Sequence, residues 1–125
     1  MSNAVDHPQH YTSHPSGVEA VEITEWLSFN LGNCVKYLLR REHKGHERQD
    51  MEKALWYARR EKARSRPEPV APAPFDLIHK VTRVVSAEPD QDVGRAIGLF
   101  ALAAWSGSGE RDLQMSIRIL EERLS

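Results

Sequence analysis

The chain reads as an all-α protein, a small bundle of about five to six helices behind an extended N-terminal arm. Three observations predict this. Apolar residues recur at i, i+3, i+4 and i+7 through most of the sequence, the spacing that lines one face of a 3.6-residue helix. No alternating stretch is longer than a few residues, which leaves no strand candidate of useful length. All seven prolines fall between the periodic stretches, where the missing N–H and fixed φ do no harm.

The elements follow in order. His7 to Pro15 carries two prolines and no apolar period, so it reads as an arm or loop. Ser16-Gly17-Val18-Glu19 has capping-box spacing and predicts a first helix from about Val18 to Phe29, with Ile23, Trp26 and Leu27 as core. Asn30 to Asn33 reads as a break. A second helix then runs from Asn33 to Lys44 and stops at Gly45, with Leu31, Cys34, Val35 and Leu38 on its apolar side. A third, from Glu47 to Ala63, turns Met51, Leu55 and Ala58 inward. The four prolines between Arg66 and Pro74 predict a linker. Phe75 to Ala87 is a fourth helix, and a fifth begins at Pro89 and ends at Trp105. Ser106 to Gly109 is a turn, with Ser108 as cap of a last helix carrying Leu113, Ile117, Leu120 and Leu124. Residues 1–66 thus form one helical module with its arm. Residues 67–125 supply the proline-rich linker and the helices that complete the bundle or form an oligomer interface. The fifth helix favours self-association, because Ile97, Leu99, Phe100, Leu102 and Trp105 leave it little polar face.

Composition narrows the function classes. No apolar run is long enough to span a bilayer and the N-terminus lacks the order of a secretory signal, so a cytoplasmic protein with no membrane partner is expected. The single cysteine, Cys34, rules out an intramolecular disulfide. The formal net charge of −1 hides an asymmetry. Leu31 to Arg66 carries eleven basic residues against five acidic, whereas Pro67 to Ser125 carries six against nine. The first half should draw anions, although a solvated helix surface has the same look. Its bases are interleaved with acids and no DNA-reading motif is visible, so nucleic acid is not an expected partner.

No G-x-x-x-x-G-K-[ST] loop is present, which excludes a P-loop enzyme. Glu19 and Glu22, Glu22 and Glu25, and Glu47 and Asp50 are paired at i, i+3. Facing pairs of this kind hold magnesium in all-helical nucleotide pyrophosphatases, and the same spacing arises by chance on solvated helices. His7, His10 and His14 lack the helical i, i+4 geometry of a zinc site. The strongest constellation is polar. Asn33, Lys36, Tyr37 and Arg40 share one helical face, and Asp50, Lys53 and Tyr57 share another. A lysine offers a point charge, an arginine a planar fork for phosphate oxygens, an amide a reader of base or sugar, and a tyrosine a stacking surface. Lys36 and Arg40 lie opposite the apolar stripe, so their replacement by alanine is expected to leave stability nearly unchanged.

The blocks His7-Pro8-Gln9-His10-Tyr11, Gly17-Val18-Glu19-Ala20-Val21-Glu22, Gly32-Asn33-Cys34-Val35-Lys36-Tyr37-Leu38-Leu39-Arg40, His43-Lys44-Gly45 and Asp50-Met51-Glu52-Lys53-Ala54-Leu55-Trp56-Tyr57 resemble a small phage-associated family. That family is a domain of unknown function widespread in bacteriophages and prophages. It is often labelled nucleotide kinase, because a T-odd coliphage member phosphorylates deoxynucleoside monophosphates. The resemblance covers about residues 5–60. It implies a P-loop-less phosphotransferase in the host cytoplasm, with a nucleoside triphosphate as donor, Mg2+ as cofactor and nucleotides as partners. Lys36, Arg40 and Asp50 would be catalytic. His10, Tyr11, Asn33, Tyr37, Lys44, Lys53 and Tyr57 would bind nucleotide, and Glu19, Glu22 and Asp50 are the candidate metal ligands. Two alternatives stay open, a magnesium-dependent nucleotide pyrophosphatase and a non-catalytic module that binds nucleotide or a host protein.

Overall fold

The computed structural model describes residues 14–41, 46–64, 73–105 and 109–125. Among these it shows six helices and no strand: α1 (Ala20–Thr24), α2 (Phe29–Arg40), α3 (Glu47–Lys62), α4 (Phe75–Ala87), α5 (Gln91–Trp105) and α6 (Gly109–Leu124). One apolar core runs through all of them, from Val18 and Ile23 through Leu38, Ala58 and Val84 to Phe100 and Leu120. The predicted apolar sides of α2, α3 and α6 are the buried ones, apart from Leu124, which is partly covered. No helix of the described residues is long and apolar enough to cross a membrane.

The first two helices differ from expectation. The capping box closes between Glu19 and Glu22, whose Oε2 accepts the Glu19 N–H at 2.7 Å, and α1 is a short helix. Ser16 serves the arm instead: its Oγ accepts the Val18 N–H at 3.1 Å and lies 2.8 Å from His14 Nδ1. Gly17 follows with φ of 74°, closing a turn onto the His14 carbonyl at 3.0 Å. The chain breaks at Glu25 to Ser28 and not at Asn30 to Asn33. Trp26 therefore sits in the break and is exposed, not core. Gly32 lies inside α2, where a Cβ would meet the Thr24 carbonyl oxygen at 3.2 Å. The glycine permits α1 to end directly against α2, so a residue that reads locally as a breaker is kept for a tertiary contact.

In the second half, Asp90 is the cap of α5: its Oδ1 accepts the N–H groups of Asp92 at 3.1 Å and Val93 at 3.3 Å. The same carboxylate holds Arg123 of α6 at 2.5 Å. Ile97 and Phe100 are fully buried within the bundle and Leu102 is 50% exposed, so the apolar character of α5 is mostly consumed inside one chain. Residues 106–108, with the proposed Ser108 cap, lie outside the described residues.

A buried charge network joins three parts of the chain. Arg41, just past α2, forms an ion pair with Glu88 Oε1 and donates to the Leu38 carbonyl at 2.8 Å. Glu88, in the α4–α5 junction, also meets His14 Nε2 at 2.8 Å. Because His14 Nδ1 accepts the Ser16 N–H at 3.1 Å, Nε2 is the nitrogen that donates to Glu88. Arg83 of α4 adds a bond to the Ser16 carbonyl at 2.9 Å. Burial pushes the Glu88 carboxyl up, but hydrogen bonds from His14 and Arg41 and the charge of Arg41 more than reverse this and hold it at about 2.

A depressed carboxylate contributes stability that is present above its unfolded value and lost as pH falls through the folded one. For Glu88 the window runs from 4.5 down to about 2, and the contribution is on the order of 3 kcal/mol. Urea unfolding midpoints measured from pH 7 to pH 2 should fall more steeply in this window for the parent protein than for Glu88→Gln. The variant should be less stable at neutral pH, because Arg41 is left buried beside a neutral partner. Parallel acid limbs would mean that Glu88 does not carry the pH dependence.

Candidate functional site

Helices α2 and α3 form an antiparallel hairpin whose register is set by buried contacts. Asn30 Nδ2 donates to Glu61 Oε1 at 3.0 Å near one end, Cys34 Sγ donates to the Ala54 carbonyl at 3.3 Å in the middle, and Arg40 meets Asp50 near the other end. Cys34 is fully buried, and its thiol is pushed far up, first by burial and then by the charge of Glu61, so it is no nucleophile.

With the apolar faces turned inward, the two polar stripes meet on the outside of the hairpin. Tyr37 and Tyr57 stack with centroids 5.9 Å apart and planes 14° apart. Lys36 Nζ and Arg40 Cζ each lie 5.6 Å from the Tyr37 centroid, and Lys53 Nζ lies 5.3 Å from it. Each is within cation–π range. Arg40 Nε is 3.8 Å from Asp50 Oδ2, yet this buried N–H makes no hydrogen bond. Lys53 has no ion-pair partner among the described residues. Like charges gathered on one ring repel, and an anion placed there would relieve them. Asn33 is on the same helix, but its Nδ2 is committed to the Phe29 carbonyl at 2.8 Å.

Not every expected residue joins this face. His10, Tyr11 and Lys44 lie outside the described residues. Glu19, Glu22 and Asp50, the proposed metal ligands, are not brought together. Glu19 and Glu22 cap α1, Glu22 Oε1 is 3.3 Å from Lys80 of α4, and Asp50 faces Arg40. Among the described residues no group of three or more His, Cys, Asp or Glu could hold a metal ion. The i, i+3 spacing was met by local capping, which uses the same carboxylates at a helix start.

Five residues beside this face, Asn30 among them, were missed from sequence. Beyond Tyr57 lies an open groove of about 960 Å3, lined by Phe29, Asn30, Trp56, Tyr57, Arg60 and Arg64. Phe29 is 73% exposed and Trp56 59%, and both meet the Tyr57 ring edge to face, at 5.9 and 5.0 Å. A signal was present: Trp56 and Arg60 are spaced i, i+4 beside Tyr57. Local spacing does not tell an exposed ring from a covered one, which hid Phe29 and Trp56. Arg60 and Arg64 looked like ordinary members of the charged face.

A family model described as a protein of unknown function (DUF3310) matches residues 5–59. The similarity spans α1, α2 and most of α3, less than half of the chain, and does not extend to α4, α5 and α6. No curated protein and no solved structure matches the chain.

The geometry separates two positions that the sequence treated alike. Lys36→Ala should change stability by no more than about 0.5 kcal/mol, as at a surface site. Arg40→Ala strips the side chain facing buried Asp50 and should cost about 1–2 kcal/mol, below the range for a fully buried pair because Arg40 is partly exposed. Arg118, exposed on α6, is the neutral control. Equal urea midpoints for the Lys36 and Arg40 variants would remove the structural role given to the Arg40–Asp50 contact.

Proposed function

We propose that the outer face of the α2–α3 hairpin binds a nucleotide. The carrying observation is the convergence of Lys36, Arg40 and Lys53 on the Tyr37 ring, itself stacked on Tyr57. Cations grouped beside a flat aromatic surface match a ligand with phosphates at one end and a planar base at the other. The match to DUF3310 covers the segment that carries these residues and supplies no activity.

The finer reading is a phage-type, P-loop-less kinase that phosphorylates deoxynucleoside monophosphates. An oxygen of the acceptor phosphate attacks the terminal phosphorus of a nucleoside triphosphate. The new P–O bond forms as the bond to the bridging oxygen breaks, and the electron pair leaves on the donor diphosphate. Total charge is conserved and no covalent enzyme intermediate is needed, so positioning and charge stabilisation carry the catalysis. Lys36, Arg40 and Lys53 neutralise phosphate oxygens, and Tyr37 and Tyr57 support the base. His10, Tyr11 and Lys44 enter this reading through the family resemblance alone. Magnesium enters only as the counter-ion carried by the triphosphate, with no residue set assigned to it. The pyrophosphatase alternative relies on facing carboxylate pairs to activate water, and no such assembly supports it among the described residues. Self-association is the least supported partner claim, since α5 spends its apolar side chains within the bundle.

Thermal stabilisation by a panel of nucleotides tests binding, since a ligand at 100 times its dissociation constant adds about 2.7 kcal/mol. Lys36→Ala and Lys53→Ala should each weaken nucleotide affinity roughly ten-fold to more than a hundred-fold, from loss of a charge-assisted contact worth about 1.5–3 kcal/mol. Product analysis with donor and acceptor together should show two diphosphates. Pyrophosphate release would replace the kinase with the hydrolase, and binding without turnover would leave a sequestering module. No stabilisation by any nucleotide would end the reading.

A further inference from the structure

The groove beyond Tyr57 has its own anion-binding features, separate from the cations around Tyr37. Phe29 and Asn30, the first two residues of α2, form one side. Their N–H groups and that of Leu31 point out of the helix start. The first such group with a helical partner is that of Gly32, bonded to the Ser28 carbonyl at 2.7 Å. The N-cap residue leaves this turn unserved. Ser28 is 8% exposed, makes no side-chain capping bond, and its buried Oγ has no hydrogen-bond partner. A serine at this position ordinarily accepts an N–H from the first turn. Here the hydroxyl and the first-turn donors are left together at the positive end of a helix of 12 residues.

The opposite side of the groove is α3. Arg60 lines it with no ion-pair partner among the described residues, and Arg64 lies beside it, 3.6 Å from Glu61. Each side also presents an exposed ring set edge-on to Tyr57, Phe29 from α2 and Trp56 from α3. A helix start and an arginine suit one phosphate, and an exposed indole within the same groove suits a base. The volume of about 960 Å3 is ample for a nucleotide.

We infer that this groove is a second nucleotide subsite, which takes a nucleoside monophosphate with its phosphate at the start of α2 against Arg60 and its base on Trp56. The inference rests on the nucleotide reading above and adds to it. A kinase must hold donor and acceptor at once, and the Tyr37 cations alone provide for one set of phosphates. The triphosphate falls to Lys36, Arg40 and Lys53, and the monophosphate falls to the groove. Tyr57, which touches both Tyr37 and Trp56, is the shared wall.

The test uses the full chain, titrated calorimetrically with each of the four deoxynucleoside monophosphates, with ATP and with inorganic phosphate, while tryptophan fluorescence is followed. One monophosphate should bind and quench fluorescence, and Trp56→Phe should abolish that quench. Arg60→Gln should weaken the monophosphate at least ten-fold and ATP less than two-fold. Lys53→Ala should do the reverse. Arg59→Gln, which removes a neighbouring charge paired with Glu121 at 2.8 Å, should change neither. Inorganic phosphate should bind more weakly than the monophosphate, and more weakly still in Arg60→Gln. If Lys53→Ala weakens both nucleotides and Arg60→Gln neither, the groove is not a subsite while the nucleotide reading stands. If no nucleotide binds at all, both fall. An affinity that climbs with the length of a deoxythymidylate oligomer overturns the inference in favour of a track for single strands.

Discussion

The buried pairing of Arg41 with Glu88 is the constraint on which the rest of the fold depends. Both side chains are almost fully removed from water. Moving two such charges out of water costs several kcal/mol per ion, repaid only when hydrogen bonds meet the remaining donors and acceptors. The fold meets most of them from several directions, and Arg41 Nε, which makes no hydrogen bond, lies 4.0 Å from Glu47 Oε1. The Leu38 carbonyl takes one Arg41 N–H, His14 Nε2 donates to the second Glu88 oxygen, and the Asp90 N–H adds a bond to the first at 3.3 Å. The arm, the end of α2 and the junction before α5 must all be in place for this one pair to be tolerated. Their relative positions are therefore set together.

That constraint explains why the hairpin face is free for other work. Arg41 anchors the end of α2 from within, and the alternating use of neighbouring positions follows from helical geometry. Arg41 points into the bundle, while Arg40 lies outside beside Tyr37. Leu38 is buried while Tyr37 and Tyr57 stack at the surface. Two adjacent arginines thus have opposite duties. The inner one closes the structure, and the outer one faces solvent and any ligand.

Much of this was legible in the sequence, for reasons that differ from place to place. The helices α3, α4 and α6 carry long apolar periods, and their limits differ little from those expected. The start of α2 was not legible, because Gly32 between two asparagines looks like a break until its contact with the Thr24 carbonyl is known. Asn33, Lys36, Tyr37, Arg40, Asp50, Lys53 and Tyr57 could be grouped because two faces of two neighbouring helices need only a short connection to meet. The Arg41–Glu88 pair is separated by 47 residues, and no local pattern distinguishes those two charges from the others. Glu19 and Glu22 show the opposite case: a local role, capping α1, meets their i, i+3 spacing. Ser28 was not legible as an N-cap either, because local pattern places it inside the expected first helix rather than ahead of α2.

The distance in sequence between His14 and Glu88, 74 residues, acquires another meaning when the chain is made from its N-terminus. At ordinary rates of about 5–20 residues per second, the ribosome needs roughly 4 to 15 seconds to reach the glutamate after it has placed the histidine. During that interval the nascent α2–α3 hairpin has Arg41 but not its counter-charge, and lacks α5 and α6 to cover its apolar side. The hairpin is complete only once Lys62 is made, 26 residues before Glu88, and its helices can form within microseconds, so it waits for roughly the last third of this time as secondary structure without a closed interior. The carboxylate that completes the network arrives late, and its arrival couples the early half of synthesis to the later half. Native closure of the hairpin is timed by the emergence of a residue outside it.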